Sequence, residues 1–289
     1  MGILLLMASI SMFIPTLISV NEWWIPLLTL VLAVVNAFFL ARLAHRSGLT
    51  RMPSVVPAFI YQITLGANIT IHTFWQGQLI VMALIVVIQL IQRTSHQEDA
   101  TEESFLAVVL IVLASLLWSD MVLFVVVWIV LLAIEKKISF RTISAMLIAL
   151  AMMAIYYVIG RQMDWFIPEW SAMAQRQWVV IDWSFVQVAE ILLLIFSLYF
   201  VVASFLRINR DNISVQKYLQ MILFVLLAVL FWYAFPVNER GVVATIPAVV
   251  SMAASVYFLT TQTLTRGIIF ALYIVGTVYE FMHHLYLNT

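Results

Sequence analysis

Apolar positions fill this chain in long runs, and polar residues fall mostly in the gaps between them. A helix needs roughly 20 apolar residues to cross the hydrocarbon core of a bilayer. Runs of that kind lie near 3-20, 23-43, 54-72, 74-92, 104-118, 121-135, 142-160, 186-206, 217-235, 241-260 and 267-286. The pattern predicts an all-α fold, a polytopic transmembrane helix bundle of about eleven spans forming a single integral membrane domain over 1-289. The first run begins almost at Met1 without a basic n-region, so it is expected to stay as a span rather than be cleaved.

The runs 104-118 and 121-135 are short and are separated only by Ser119-Asp120, so one long tilted helix competes with a hairpin. Loop charge chooses between them, because Lys and Arg remain on the cytoplasmic side. With two spans, one side receives Arg42, Arg46, Arg51, Arg93, Lys136, Lys137, Arg141, Arg207, Arg210, Lys217 and Arg266, eleven of the fourteen basic residues. The other side receives Arg161, Arg176 and Arg240. A single span would move Lys136, Lys137 and Arg141 across and erase most of the bias. The hairpin is therefore expected, with the N-terminus inside and the C-terminus outside.

The longest interruption, Arg161 to Glu190, then falls on the outer face. It interleaves Arg161, Asp164, Glu169, Arg176, Asp182 and Glu190 with Trp165, Trp170, Trp178 and Trp183. Indole rings are apolar with one polar N–H and collect where membrane meets water, so these four tryptophans are expected to be interfacial anchors. Pro168-Glu169 suits a helix start. Trp170, Ala174, Trp178 and Ile181 share a stripe, which predicts an amphipathic helix over part of 161-185, lying on the membrane surface.

Composition narrows the function classes. Hydrophobic residues make up 65% of the 289, and mean hydropathy is +1.08. Fourteen basic residues balance fourteen acidic ones, so there is no electrostatic footprint for nucleic acid. The absence of cysteine excludes disulfides, thiolate metal sites and a cysteine nucleophile. No Walker loop, dinucleotide glycine fingerprint, HExxH or GxSxG occurs. No cofactor is implied.

Within the spans, Asn36, Gln62, Asn68 and Gln89 are expected to hydrogen-bond neighbouring helices. Ionisable groups inside or near apolar runs are costly and draw attention as candidate sites. Asp120, Glu190, Glu280 and His284 are the candidate catalytic residues. Glu280 shares a helix face with His283 and His284, an arrangement suited to acid–base work or to half of a metal site. Without a second histidine-rich helix to complete the ligand set, no metal is expected. Arg161, Arg176 and Arg240 suit an anionic lipid or phosphate, since guanidinium binds phosphate in a bidentate fork. Ion pairs that merely fix loop positions are the alternative for the same arginines.

One resemblance follows from His45-Arg46, Arg51-Met52-Pro53 and Pro57, from Ala114-Ser115-Leu116-Leu117-Trp118, and from Lys136-Lys137-Ile138-Ser139-Phe140-Arg141. On these patterns residues 42-160 resemble an uncharacterised family of multi-pass inner-membrane proteins of Bacteroidota. The resemblance implies a Gram-negative inner membrane and an envelope context, and carries over no catalytic residue. The function expected is the handling of a lipid or lipid-linked glycan at the outer, periplasmic face in cell-envelope biogenesis. The shortness of the outer stretch counts against a glycan-transferring enzyme, so catalysis is left open. The rivals are a non-catalytic subunit or scaffold docking other envelope membrane proteins, and a carrier or flippase. Membrane lipids are the expected partners throughout.

Overall fold

The computed structural model describes residues 24-49, 54-67, 74-94, 97, 99-162, 185-207, 213-234 and 239-260. These form α1 (Trp24–Arg46), α2 (Val56–Ala67), α3 (Trp75–Thr94), α4 (Thr101–Ser115), a 3-10 helix (Ser119–Leu123), α5 (Phe124–Ile134), α6 (Phe140–Gln162), α7 (Phe185–Arg207), α8 (Ile213–Ala234) and α9 (Glu239–Thr260). No strand occurs among the described residues. The runs 3-20 and 267-286 lie outside them.

Local chemistry sets several boundaries. Gly48, at φ 76°, takes the left-handed position just beyond α1, and Ser47 N–H donates back to the Leu43 carbonyl at 3.0 Å. Pro57 sits in the first turn of α2, where its missing N–H costs no helical bond. Ser139 caps α6 by accepting from the Thr142 N–H at 3.1 Å. Asp99 Oδ1 accepts from Thr101 N–H at 3.1 Å and from Thr101 Oγ1 at 2.6 Å, tying down the start of α4.

The chain reverses between α4 and α5. Trp118 is extended (φ −144°, ψ 105°) and breaks the helix, after which the 3-10 turn leads into α5. Trp128 Nε1 donates to Ser104 Oγ at 3.3 Å. In one continuous helix those residues would lie roughly 36 Å apart.

At the centre stands α9, buried on every side from Ala244 to Phe258 and packed against α1, α2, α3, α7 and α8. Helix association within lipid depends on close packing and interhelical hydrogen bonds rather than on apolar burial from water. Accordingly α9 presents Ala244, Ala248, Ser251, Ala253, Ala254 and Ser255 to its neighbours. Ser251 Oγ donates to the Pro57 carbonyl at 2.5 Å, linking α9 to α2. Gly77 of α3 meets α9 so closely that an added Cβ would lie 2.6 Å from Ala244 Cβ. A second polar tie joins α1, α2 and α3: Gln78 Oε1 accepts from Asn36 Nδ2 at 3.1 Å and from the Tyr61 hydroxyl at 2.6 Å. Gln62 Nε2 donates to the Ala33 carbonyl at 3.0 Å.

The periphery is apolar. Helix α6 packs chiefly on α4 and leaves Leu147, Ile148, Met152, Ile155 and Val158 exposed; Leu192, Ile195, Phe196 and Val202 of α7 are exposed as well. A water-soluble monomer rarely shows contiguous apolar patches above a few hundred Å². Four helices among the described residues, 24-46, 75-94, 140-160 and 215-234, are long and apolar enough to cross a membrane. Shorter apolar helices accompany them at 56-65, 121-134, 190-206 and 243-259.

Candidate functional site

The helix order sorts charge between the two ends of the bundle. At one end lie the last turns of α1 and α3, the α5–α6 link and the first turn of α8, bringing Arg42, Arg46, Arg93, Lys136, Lys137, Arg141 and Lys217 together. Glu135, Asp99, Glu102 and Glu103 share that end. The opposite end carries the α4–α5 turn, the end of α6, the start of α7 and the α8–α9 turn. Asp120 in the 3-10 helix, Arg161 in the last turn of α6, and Glu239 and Arg240 in the first turn of α9 all take positions there.

At this opposite end the described side chains make two arrangements. Glu190, in the second turn of α7, is only 6% exposed, and its Oε2 accepts from the Tyr233 hydroxyl of α8 at 3.0 Å. Beside Tyr233 in sequence, Trp232 packs edge-on against Trp118 (5.7 Å between centroids) and against Phe124 (4.4 Å). Trp118 and Trp232 are both buried, and neither indole N–H has an acceptor among the described residues. This end therefore holds a carboxylate paired with a tyrosine between α7 and α8, and, where the α4–α5 turn meets α8, two buried indole donors without acceptors among the described residues. Buried donors without partners are uncommon and mark places where an acceptor is missing.

The sequence singled out Glu190 and Asp120, and both fall at this end, Asp120 two residues beyond Trp118. Arg161 is helical in α6 rather than the first residue of a surface stretch. Arg176, Trp165, Trp170, Trp178, Trp183, Glu280, His283 and His284 lie outside the described residues, as does the expected surface helix. Asn36 and Gln62 make interhelical bonds, while Gln89 Nε2 has no partner among the described residues and Asn68 lies outside them. Sequence reasoning missed Gln78, the hub of the α1–α3 tie, because Gln76-Gly77-Gln78 stands at the polar start of its run. The adjacent glycine was the available signal, since small residues mark close helix approach. Among the described residues no cluster of three or more His, Asp or Glu is placed to hold a metal.

Helical content, apolar periphery and span-length helices together define a helical membrane protein. No family model, curated protein or solved structure matches the chain.

Proposed function

We propose that this chain is a multi-pass protein of a bacterial inner membrane, with its basic end in the cytoplasm, that handles a lipid or lipid-linked glycan at the periplasmic face in envelope biogenesis. The orientation rests on the retention of Lys and Arg on the cytoplasmic side, applied to the end that gathers seven of the described basic side chains. The likeness of residues 42-160 to inner-membrane proteins of Bacteroidota supports the same compartment.

The observation that carries the functional reading is the buried Glu190–Tyr233 pair, with the buried indoles of Trp118 and Trp232 toward the same end of the bundle. A glycan or phosphate head group is rich in acceptors and would satisfy the two indole N–H groups. Glu190 is buried and already accepts from one hydroxyl, so it is suited to accept a hydrogen bond from a sugar hydroxyl. Arg161 and Arg240, at helix ends on the same side, are suited to phosphate.

The test is lipid retention after gentle extraction from the native membrane, read by native mass spectrometry. Glu190→Gln, Trp232→Phe and Arg161→Ala, Arg176→Ala or Arg240→Ala should each reduce retention of a polyprenyl-phosphate or glycolipid while the protein stays folded. Unchanged retention in all of them would sink the reading. A second reading, a non-catalytic subunit, is favoured by α6, which packs chiefly on α4 and offers a long apolar face. A stoichiometric protein companion in the same spectra, with bulk phospholipid only, would select it.

A further inference from the structure

We propose that a cleft at the basic end of the bundle binds a phosphate group, carried either by a phospholipid head group or by a soluble phosphoester. This inference concerns the end opposite Glu190 and stands apart from the reading above.

The cleft lies between the ends of α1, α3 and α5 and the first turns of α8, with a cavity of about 40 Å³. A water requires roughly 10–15 Å³ of such space, so the cavity holds about three waters, or the oxygens of one phosphate. Two side chains of different helices argue for an anion there. Arg46 stands on the rim with Arg42 and Arg93 as its charged neighbours, and no carboxylate lies within ion-pair distance of it among the described residues. The carboxylate within the cleft, Glu135, is engaged by Lys217 at 2.5 Å. Arg46 and Lys217 against Glu135 leave the cleft with one net positive charge.

Tyr218 supplies the independent observation. It is 2% exposed, it lines the cleft, and its hydroxyl has no partner among the described residues. A buried O–H left unpaired is unfavourable, and an anionic oxygen is a strong acceptor for it. The guanidinium fork of Arg46, on the same cleft, can donate to two further phosphate oxygens. Ile91, Leu131, Ile134 and Met221 give the cleft an apolar part beside these groups, which suits the glycerol and acyl portion of a lipid more than it suits a free ion.

The experiment titrates the full-length protein, in a zwitterionic detergent, with phosphatidylglycerol and separately with phosphatidylcholine, counting bound lipid by native mass spectrometry. Wild type should prefer phosphatidylglycerol, because a choline cation would sit among the arginines. Arg46→Gln should weaken binding about tenfold and Tyr218→Phe about threefold. Arg141→Gln removes a charge at the same end without lining the cleft and should leave affinity within about twofold. Inorganic phosphate that displaces the lipid identifies a soluble phosphoester as an equally good ligand; failure to displace it identifies the lipid. Equal binding by wild type, Arg46→Gln and Tyr218→Phe would overturn the proposal. Tyr218→Phe keeps the buried ring and loses one oxygen, so it decides the matter even where Arg46→Gln does not fold. Loss of glycolipid in Glu190→Gln with unchanged phosphatidylglycerol binding would separate the two ends.

Discussion

Three side chains carry consequences that measurement can reach. The Tyr233 hydroxyl donates to a buried carboxylate, and hydrogen bonds to charged groups contribute more than neutral ones. Tyr233→Phe should therefore lower stability by about 1–2 kcal/mol, seen as a reduced melting temperature in detergent. Lys136 occupies the left-handed region at φ 56°, closing α5 through Lys137 N–H to the Leu132 carbonyl (2.9 Å) and Lys136 N–H to Ala133 (3.1 Å). Glycine is the residue that fits this position without strain, so Lys136→Gly should stabilise by about 0.5 kcal/mol and Lys136→Val should destabilise. Asp99 titrates below the usual carboxylate range because Thr101 donates to it through its hydroxyl and its amide. A depressed folded value means its contribution is present above the unfolded pKa and lost as pH falls through the folded one. The Thr101 amide should thus exchange faster with solvent, relative to its intrinsic rate, below about pH 4. Of these groups, only Glu190 stood out in the sequence, as a carboxylate inside an apolar run. Its partner lies 43 residues away on another helix, and nothing local to either residue announces the pairing.

Helices were easier to read than their contacts. Long apolar runs forced a helical fold, because in lipid each backbone polar group must bond within its own segment. Within the run itself the break between α4 and α5 was signalled only by Ser119-Asp120, with no glycine or proline between Ala114 and Leu123, and it was the loop charge that favoured it. What holds it is tertiary: Trp118 leaves the helix and packs against Trp232 of α8. The central place of α9 was not legible, since its run is no more apolar than the others and only its small residues set it apart. Its contact with α3 gives a sharp test. Gly77→Ala puts a Cβ 2.6 Å from Ala244 Cβ and 2.6 Å from the Phe74 ring, and should cost roughly 1–3 kcal/mol. Combining it with Ala244→Gly clears one of the two obstacles and should recover part of that loss in a double-mutant cycle. Additive losses would mean that α3 and α9 do not meet there.

The basic-end cleft escaped sequence reasoning for a different reason. Arg46, Glu135 and Lys217 each have an ordinary local explanation as charges that end or begin a span, and only the bundle brings them to one place. A lone glutamate directly ahead of Lys136-Lys137 was the available hint. In the proposed orientation the bundle spans the membrane with its basic end in the cytoplasm and the end that carries Glu190 and Trp118 in the periplasm. Helix α6 joins the two, since its 23 residues extend roughly 34 Å, close to the thickness of the hydrocarbon core. The chain has no cysteine, so single cysteines placed at its two ends report without background. Phe140 is 86% exposed and Gln162 is exposed, so neither replacement disturbs the core. The measurement is labelling of Phe140→Cys and Gln162→Cys in spheroplasts with a membrane-impermeant maleimide. Gln162→Cys should react in intact spheroplasts, and Phe140→Cys only after the membrane is broken. Reaction of Phe140→Cys with protection of Gln162→Cys, or reaction of both in intact spheroplasts, would contradict the account.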